Sequence, residues 1–135
     1  MKKLILFSLL VGATTFAFGQ DLQKGNVMGL HVLTISLKPN VTMEQFKSAY
    51  MSQLIPVYEK HFNTKGYLMK GDRGESKDSF GIVWLWKTEQ DRDKFFTPDG
   101  PTALGKEAME KVSASDKELD KLGTRTSKFT NWVVQ

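Results

Sequence analysis

His31 and His61 are the only imidazoles in the chain, and there is no cysteine. Thiolate nucleophiles, disulfides and a lipid-modified cysteine are excluded at once. His31 stands in "VMGLHVLTISL", where strand alternation puts it on one face with Gly29, Leu33 and Ile35. An imidazole there must find a partner or pay for desolvation, and Gly29 leaves space beside it. It is a candidate general base or axial ligand to a haem, set against a satisfied, half-buried histidine. His61 falls on the apolar stripe of a helix in its last turn. The helix dipole favours an imidazolium there, so a structural cap competes with a ligand role. Two histidines without a spaced third ligand do not make a zinc site, and no metal is assigned.

Aromatic side chains form the second group. Trp84 and Trp86 share one face of "FGIVWLWKT", and Trp132 follows Asn131 in "FTNWVV". Stacked indoles suit a planar ligand, and they equally serve as core or interface anchors. Tyr50 and Tyr58 lie on one predicted helix, where a phenol either meets a substrate or packs with its hydroxyl satisfied. These six residues, Tyr50, Tyr58, Trp84, Trp86, Asn131 and Trp132, are the ligand-binding candidates. His31 and His61 are the catalytic ones. The glycine-rich "KGDRGES" precedes a strand instead of a helix, so it does not cradle a phosphate, and no flavin or nicotinamide motif occurs. No serine–histidine–acid pattern or paired carboxylates stand out.

The elements that must position these residues are legible from periodicity. Val27–Leu37 reads as a strand, apolar on both faces, stopped by Pro39-Asn40. Thr42 and Gln45 form a capping box, and Met43, Phe46, Tyr50, Leu54, Val57 and His61 then mark one helix face to about Phe62. Pro56 predicts an interruption near Gln53–Ile55. Asn63–Gly66 ends the helix, with glycine expected in the left-handed conformation. Tyr67–Gly74 is expected as a second strand, Glu75–Ser79 as a loop and Phe80–Thr88 as a third strand. Thr88 caps a short helix ending at Phe95-Phe96, and Thr97–Pro101 interrupts. A helix over Thr102–Leu122 buries Leu104, Ala108, Val112, Leu119 and Leu122, with Gly123 as its C-cap. Ser127–Gln135 closes the chain as a fourth strand.

The N-terminus reads differently. "MKK" followed by the apolar run Leu4–Phe18, with small residues at Ala17 and Gly19, has the pattern of a secretory signal peptide over residues 1–19. Residues 20–26 are expected to be a mobile polar leader, and 27–135 a single domain. A periplasmic or secreted location is expected, with no stable membrane anchor after cleavage. The chain has 19 Lys and Arg against 15 Asp and Glu, for a net charge of +4; without Lys2 and Lys3 this is 17 against 15, or +2. The charges are interspersed, with no basic block of the kind that binds nucleic acid.

Strand, helix, strand, strand, helical segment, strand is the order of a ferredoxin-like βαββαβ domain, an antiparallel α+β sheet with helices on one face. The first and third strands should be central, and they are the most apolar. With the proline-interrupted "SQLIPVYEKHF", the aromatic third strand and "FTNWVV", this pattern resembles the dimeric α+β barrel superfamily over residues 27–135. The resemblance implies a homodimer paired sheet to sheet, which would bury the second face of "FGIVWLWKT". Superfamily members include antibiotic-biosynthesis and other cofactor-free monooxygenases, haem-degrading and haem-binding proteins, isomerases and stress-response barrels. It therefore implies a pocket between sheet and helices that takes a small hydrophobic or planar ligand. Binding without catalysis, monooxygenase or isomerase chemistry, and haem handling all remain open.

Overall fold

A computed structural model describes residues 21–135; the expected signal peptide lies outside the described residues. The elements are β1 (Val27–Leu37), α1 (Met43–Ala49), a π turn (Tyr50–Leu54), α2 (Ile55–Phe62), β2 (Lys65–Lys70), β3 (Phe80–Trp86), α3 (Glu89–Asp93), β4 (Phe96–Thr97), β5 (Gly100–Pro101), α4 (Ala103–Asp120) and β6 (Gly123–Val133). The four long strands form one antiparallel sheet in the order β2-β3-β1-β6. The two most apolar strands are thus central, as expected, because a strand paired on both edges and covered on one face has little room for polar side chains.

Local signals set the helical layer. Thr42 accepts a hydrogen bond from the Gln45 backbone N–H at 3.2 Å, while Gln45 Oε1 accepts from the Thr42 N–H at 2.8 Å, completing the capping box. Pro56 sits in the first turn of α2, and the strain of its missing donor is taken up just before it. There the backbone widens into the π turn, with the Ile55 N–H bonding to the Tyr50 carbonyl. The interruption expected near Gln53–Ile55 is therefore an extra residue in the helical register, and it re-aims Tyr50 and Leu54 into the core.

Alternation assigns the sheet faces. Val27, His31, Leu33, Ile82, Trp84 and Trp86 point toward the helices, where all but His31 meet Phe46, Tyr50, Leu54 and Leu119 in the main core. A second cluster, Phe62, Phe95, Ala108 and Val112, ties α2 to α4 and the segment after α3. Each fully buried member contributes about 1.5–3 kcal/mol relative to exposure. The opposite face carries Met28, Leu30 and Val32 of β1 and Val83 and Leu85 of β3, set beside one another by the register Leu30↔Val83 and Met28↔Leu85.

Several boundaries differ from the sequence reading, each for a non-local reason. The left-handed cap of α2 is Asn63 (φ 47°), and Gly66 lies inside β2. Glycine is needed there for a close approach, since a Cβ would come 2.3 Å from the Trp84 ring. Gly66→Ala should destabilise the fold by about 1–3 kcal/mol through overpacking; an unchanged urea midpoint would show that Trp84 can move aside. β2 ends at Lys70 rather than Gly74. The C-cap of α4 is Lys121, and Gly123 begins β6, where a Cβ would lie 2.7 Å from the Ser36 carbonyl oxygen. β6 starts four residues before the expected Ser127 and runs the length of β1. Leu104 is exposed, and Gly105 takes the buried position on α4. The expected interruption at 97–101 is a small β4–β5 hairpin. Preceding β1, Gly25 N–H bonds to the Val134 carbonyl and Val134 N–H to the Asn26 carbonyl, at 2.8 and 2.9 Å.

Candidate functional site

The helical layer reaches the start of β6 and leaves the rest of that strand uncovered. Ser127, Phe129 and Asn131 share the helix-side face, through the register Leu33↔Ser127, His31↔Phe129 and Gly29↔Asn131, yet all three are exposed. The gap is a cleft of about 840 Å³ between the sheet and the helical layer, roofed by α4 and the β4–β5 hairpin. A volume of this size holds a small molecule and falls within the range of ordinary ligand pockets.

Its wall is aromatic. Tyr58 is stacked between Trp84 (centroids 5.0 Å, interplanar 19°) and Phe62 (5.2 Å, 23°), and Phe96 stacks on Phe62 at 5.3 Å. Trp86 donates from Nε1 to the Phe62 carbonyl at 3.4 Å, which holds the indole edge against α2. The stack fixes the Tyr58 ring, so its hydroxyl is aimed at one place: Asp116 Oδ2, 3.4 Å away on α4.

Asp116 belongs to a polar end of the cleft. Arg125 of β6 reaches across to pair with Asp116, and its Nη1 lies 3.1 Å from Asp120 Oδ1. The same guanidinium lies over the Tyr50 ring, 5.7 Å from its centroid. Burial raises the Asp116 carboxyl above the usual aspartate range and outweighs Arg125, which pulls it down. Burial also pushes both phenols up, Tyr58 with the added repulsion of Asp116, so both stay protonated. On the opposite wall Arg92 is held the same way, with Nη2 2.7 Å from Asp93 Oδ1 and 3.8 Å from Glu89 Oε1.

His31 lies on the floor, its Nδ1 3.1 Å from Ser127 Oγ and its ring tilted against Phe129 at 4.6 Å. Burial lowers its pKa below the ordinary 6.5. Folding then favours the neutral imidazole, and the unfolded chain binds more protons than the native one below pH 6.5. His31 should make the protein lose stability as pH falls from about 6.5 toward the lowered native value. In denaturant titrations across this range, His31→Gln should remove that part of the pH dependence, and an unchanged slope would assign it elsewhere.

Of the candidates drawn from sequence, His31, Tyr50, Tyr58, Trp84, Trp86 and Asn131 all line this cleft. His61 does not: it lies half-buried in the last turn of α2, outside the cleft. Trp132 does not either. Its neighbour Asn131 faces the cleft, so alternation turns Trp132 to the outer face, where it is 62% exposed and bonds from Nε1 to Thr130 Oγ1 at 3.1 Å. Asp116, Asp120, Arg125, Ser127 and Phe129 were not anticipated. Asp116 had left a signal, a carboxylate between Val112 and Leu119 on the buried stripe of α4.

A haem is not well matched to these residues. One histidine faces the cleft, with the Phe129 ring 4.6 Å from its own. Both lining arginines are already committed to carboxylates, which leaves no counter-charge for the two propionates among the described residues that line the cleft.

A four-stranded antiparallel sheet with helices on one face defines a ferredoxin-like α+β domain. The same fold occurs in a NIPSNAP-family protein from Agrobacterium tumefaciens, at 10% identity and a TM-score of 0.55, covering 85% of this chain and 90% of that one. The chain is also similar to SnoaB, a cofactor-independent oxygenase from Streptomyces nogalater (13% identity, TM-score 0.47, 82% and 94% covered). A second NIPSNAP-family protein from A. tumefaciens, of unknown function, has 12% identity and a TM-score of 0.47, with 79% and 89% covered. At these identities the likeness is one of fold. No protein-family model matches the chain, and no curated protein matches its sequence.

Proposed function

We propose that this protein is an exported binder of a small, flat, largely apolar ligand, held in the cleft between sheet and helices of each subunit of a homodimer. The observation that carries the binding reading is the aromatic stack Phe62–Tyr58–Trp84, which ends at a polar cluster instead of closing into core. A core would fill 840 Å³ with side chains; this fold spends two buried tryptophans and a clamped phenol on lining it. Export rests on the N-terminal pattern of residues 1–19, and the intact mass of protein recovered from a secreting host should begin at Gln20.

Native mass spectrometry of protein purified without added ligand tests binding first. A dimer carrying a defined extra mass supports the reading. Protein that arrives bare and whose tryptophan fluorescence no planar compound then alters refutes it.

Base catalysis on a bound planar substrate, as in a cofactor-free monooxygenase or isomerase, is a second reading. One observation favours it: His31 faces the cleft as a neutral imidazole, and when Nδ1–H donates to Ser127 Oγ, the Nε2 lone pair is left free to take a proton. Turnover of a polycyclic phenol that His31→Gln abolishes without weakening its binding would support this reading. Equal turnover in the variant would sink it.

A further inference from the structure

We propose that the cleft selects a flat organic monocation, an aromatic ring system bearing a protonated amine, over a neutral or anionic ligand of the same shape. The inference deepens the binding reading above and rests on it. Five charged residues line the cleft: Asp93, Asp116 and Asp120 against Arg92 and Arg125, a net charge of −1. The arrangement matters more than the count. Each arginine is gripped by two carboxylates, Arg125 by Asp116 and Asp120, and Arg92 by Asp93 and Glu89. Both guanidiniums are therefore already neutralised, and among the lining residues one carboxylate charge is left in excess, at the Asp116–Arg125–Asp120 end. An incoming anion meets no free cation and is repelled by that excess. A cation finds one uncompensated charge beside an aromatic surface whose π electrons act in the same direction.

The sign of the cleft also opposes that of the chain. Residues 20–135 carry 17 Lys and Arg against 15 Asp and Glu, yet no lysine lines the cleft. An acidic pocket in a basic protein concentrates cations in that pocket. Apolar core packing does not call for this, since the partly buried Asp116 carboxylate carries a desolvation cost that a neutral residue would avoid.

Three compounds of one shape test it: 1-naphthylmethylamine, 1-naphthalenemethanol and 1-naphthoate, titrated against the intact protein with tryptophan fluorescence. At about 20 mM salt the amine should bind about tenfold more tightly than the alcohol, and the naphthoate more weakly than either. The amine's advantage should shrink at about 0.5 M salt, where screening is strong. Asp120→Asn and Asp93→Asn alter carboxylates that are half exposed, 56% and 47%, so both variants should fold. Each should narrow the gap between amine and alcohol severalfold. Naphthoate binding as tightly as the amine, or a gap that neither salt nor these substitutions changes, overturns the inference while leaving the binding reading in place. Failure of all three compounds to bind removes the binding reading and this inference together.

Discussion

Placing glutamate at both Tyr67 and Trp132 should convert the proposed homodimer into a folded monomer. The outer face of the sheet is the reason. Met28, Leu30, Val32, Val83 and Leu85 form its centre, and Tyr67↔Val83 and Trp132↔Met28 extend the patch to both edge strands. Tyr67 is 47% exposed, Met69 42% and Trp132 62% in the single chain. A sheet with one face in water alternates apolar with polar, and a monomer rarely leaves a contiguous apolar surface of this kind uncovered. A second copy of the chain, packed sheet to sheet about a two-fold axis, would cover it.

A two-fold interface presents every residue twice, so the double variant would bury four unpaired carboxylates per dimer. At several kcal/mol for each unpaired charge, the dissociation constant should rise by at least about a thousandfold. The substituted positions are exposed in the lone chain, so circular dichroism and the cleft should be unaffected. Sedimentation equilibrium reads the result directly. A wild-type protein that is monomeric at about 100 μM, a concentration at which even weak specific dimers assemble, would refute the pairing. So would a double variant that remains a dimer.

Trp84→Ala should cost about 3–5 kcal/mol, a large part of the roughly 5–15 kcal/mol that holds a domain of this size together. Trp84 is 6% exposed, sits in the central strand β3, rests on Gly66 of β2 and stacks on Tyr58 of α2. Removing it empties the joint between sheet and helical layer, and no neighbour can collapse into the space. Gly66 has no side chain, and Tyr58 is pinned from its other side by Phe62. The loss should reach function too, because the stack is what aims the Tyr58 hydroxyl at Asp116. Urea unfolding measures the first effect, and a loss below about 1.5 kcal/mol would mean that the core repacks. Trp86→Phe keeps most of the buried volume and should cost about 1 kcal/mol, chiefly the hydrogen bond to the Phe62 carbonyl.

The sequence by itself determined what depends on neighbours a few residues apart. Apolar residues on both faces from Val27 to Leu37, with Pro39 beyond, delimit β1 to the residue. The Thr42–Gln45 capping box starts α1, and Pro56 forces the break that becomes a π turn. The central placement of β1 and β3 follows from the βαββαβ element order, and composition agrees with it, because strands paired on both edges have little room for polar side chains. Six of the eight residues proposed for a site line one cleft, since period-two alternation and the helical stripe already set their facing.

Tertiary structure decided what depends on strangers in the sequence. Gly66 looks like a helix cap until Trp84, eighteen positions on, is seen to need its missing side chain. Asn131 and Trp132 are equal candidates until the pairing of Asn131 with Gly29 shows which parity faces the helices. Asp116 and Arg125 are unremarkable singly. They become the polar end of a cleft only when the turn at residues 121–122 brings α4 and β6 side by side and Tyr58 arrives from the far wall. Local propensity acts over one or two turns of chain. A binding site is assembled by packing, and packing is decided by the surfaces that distant segments must bury together.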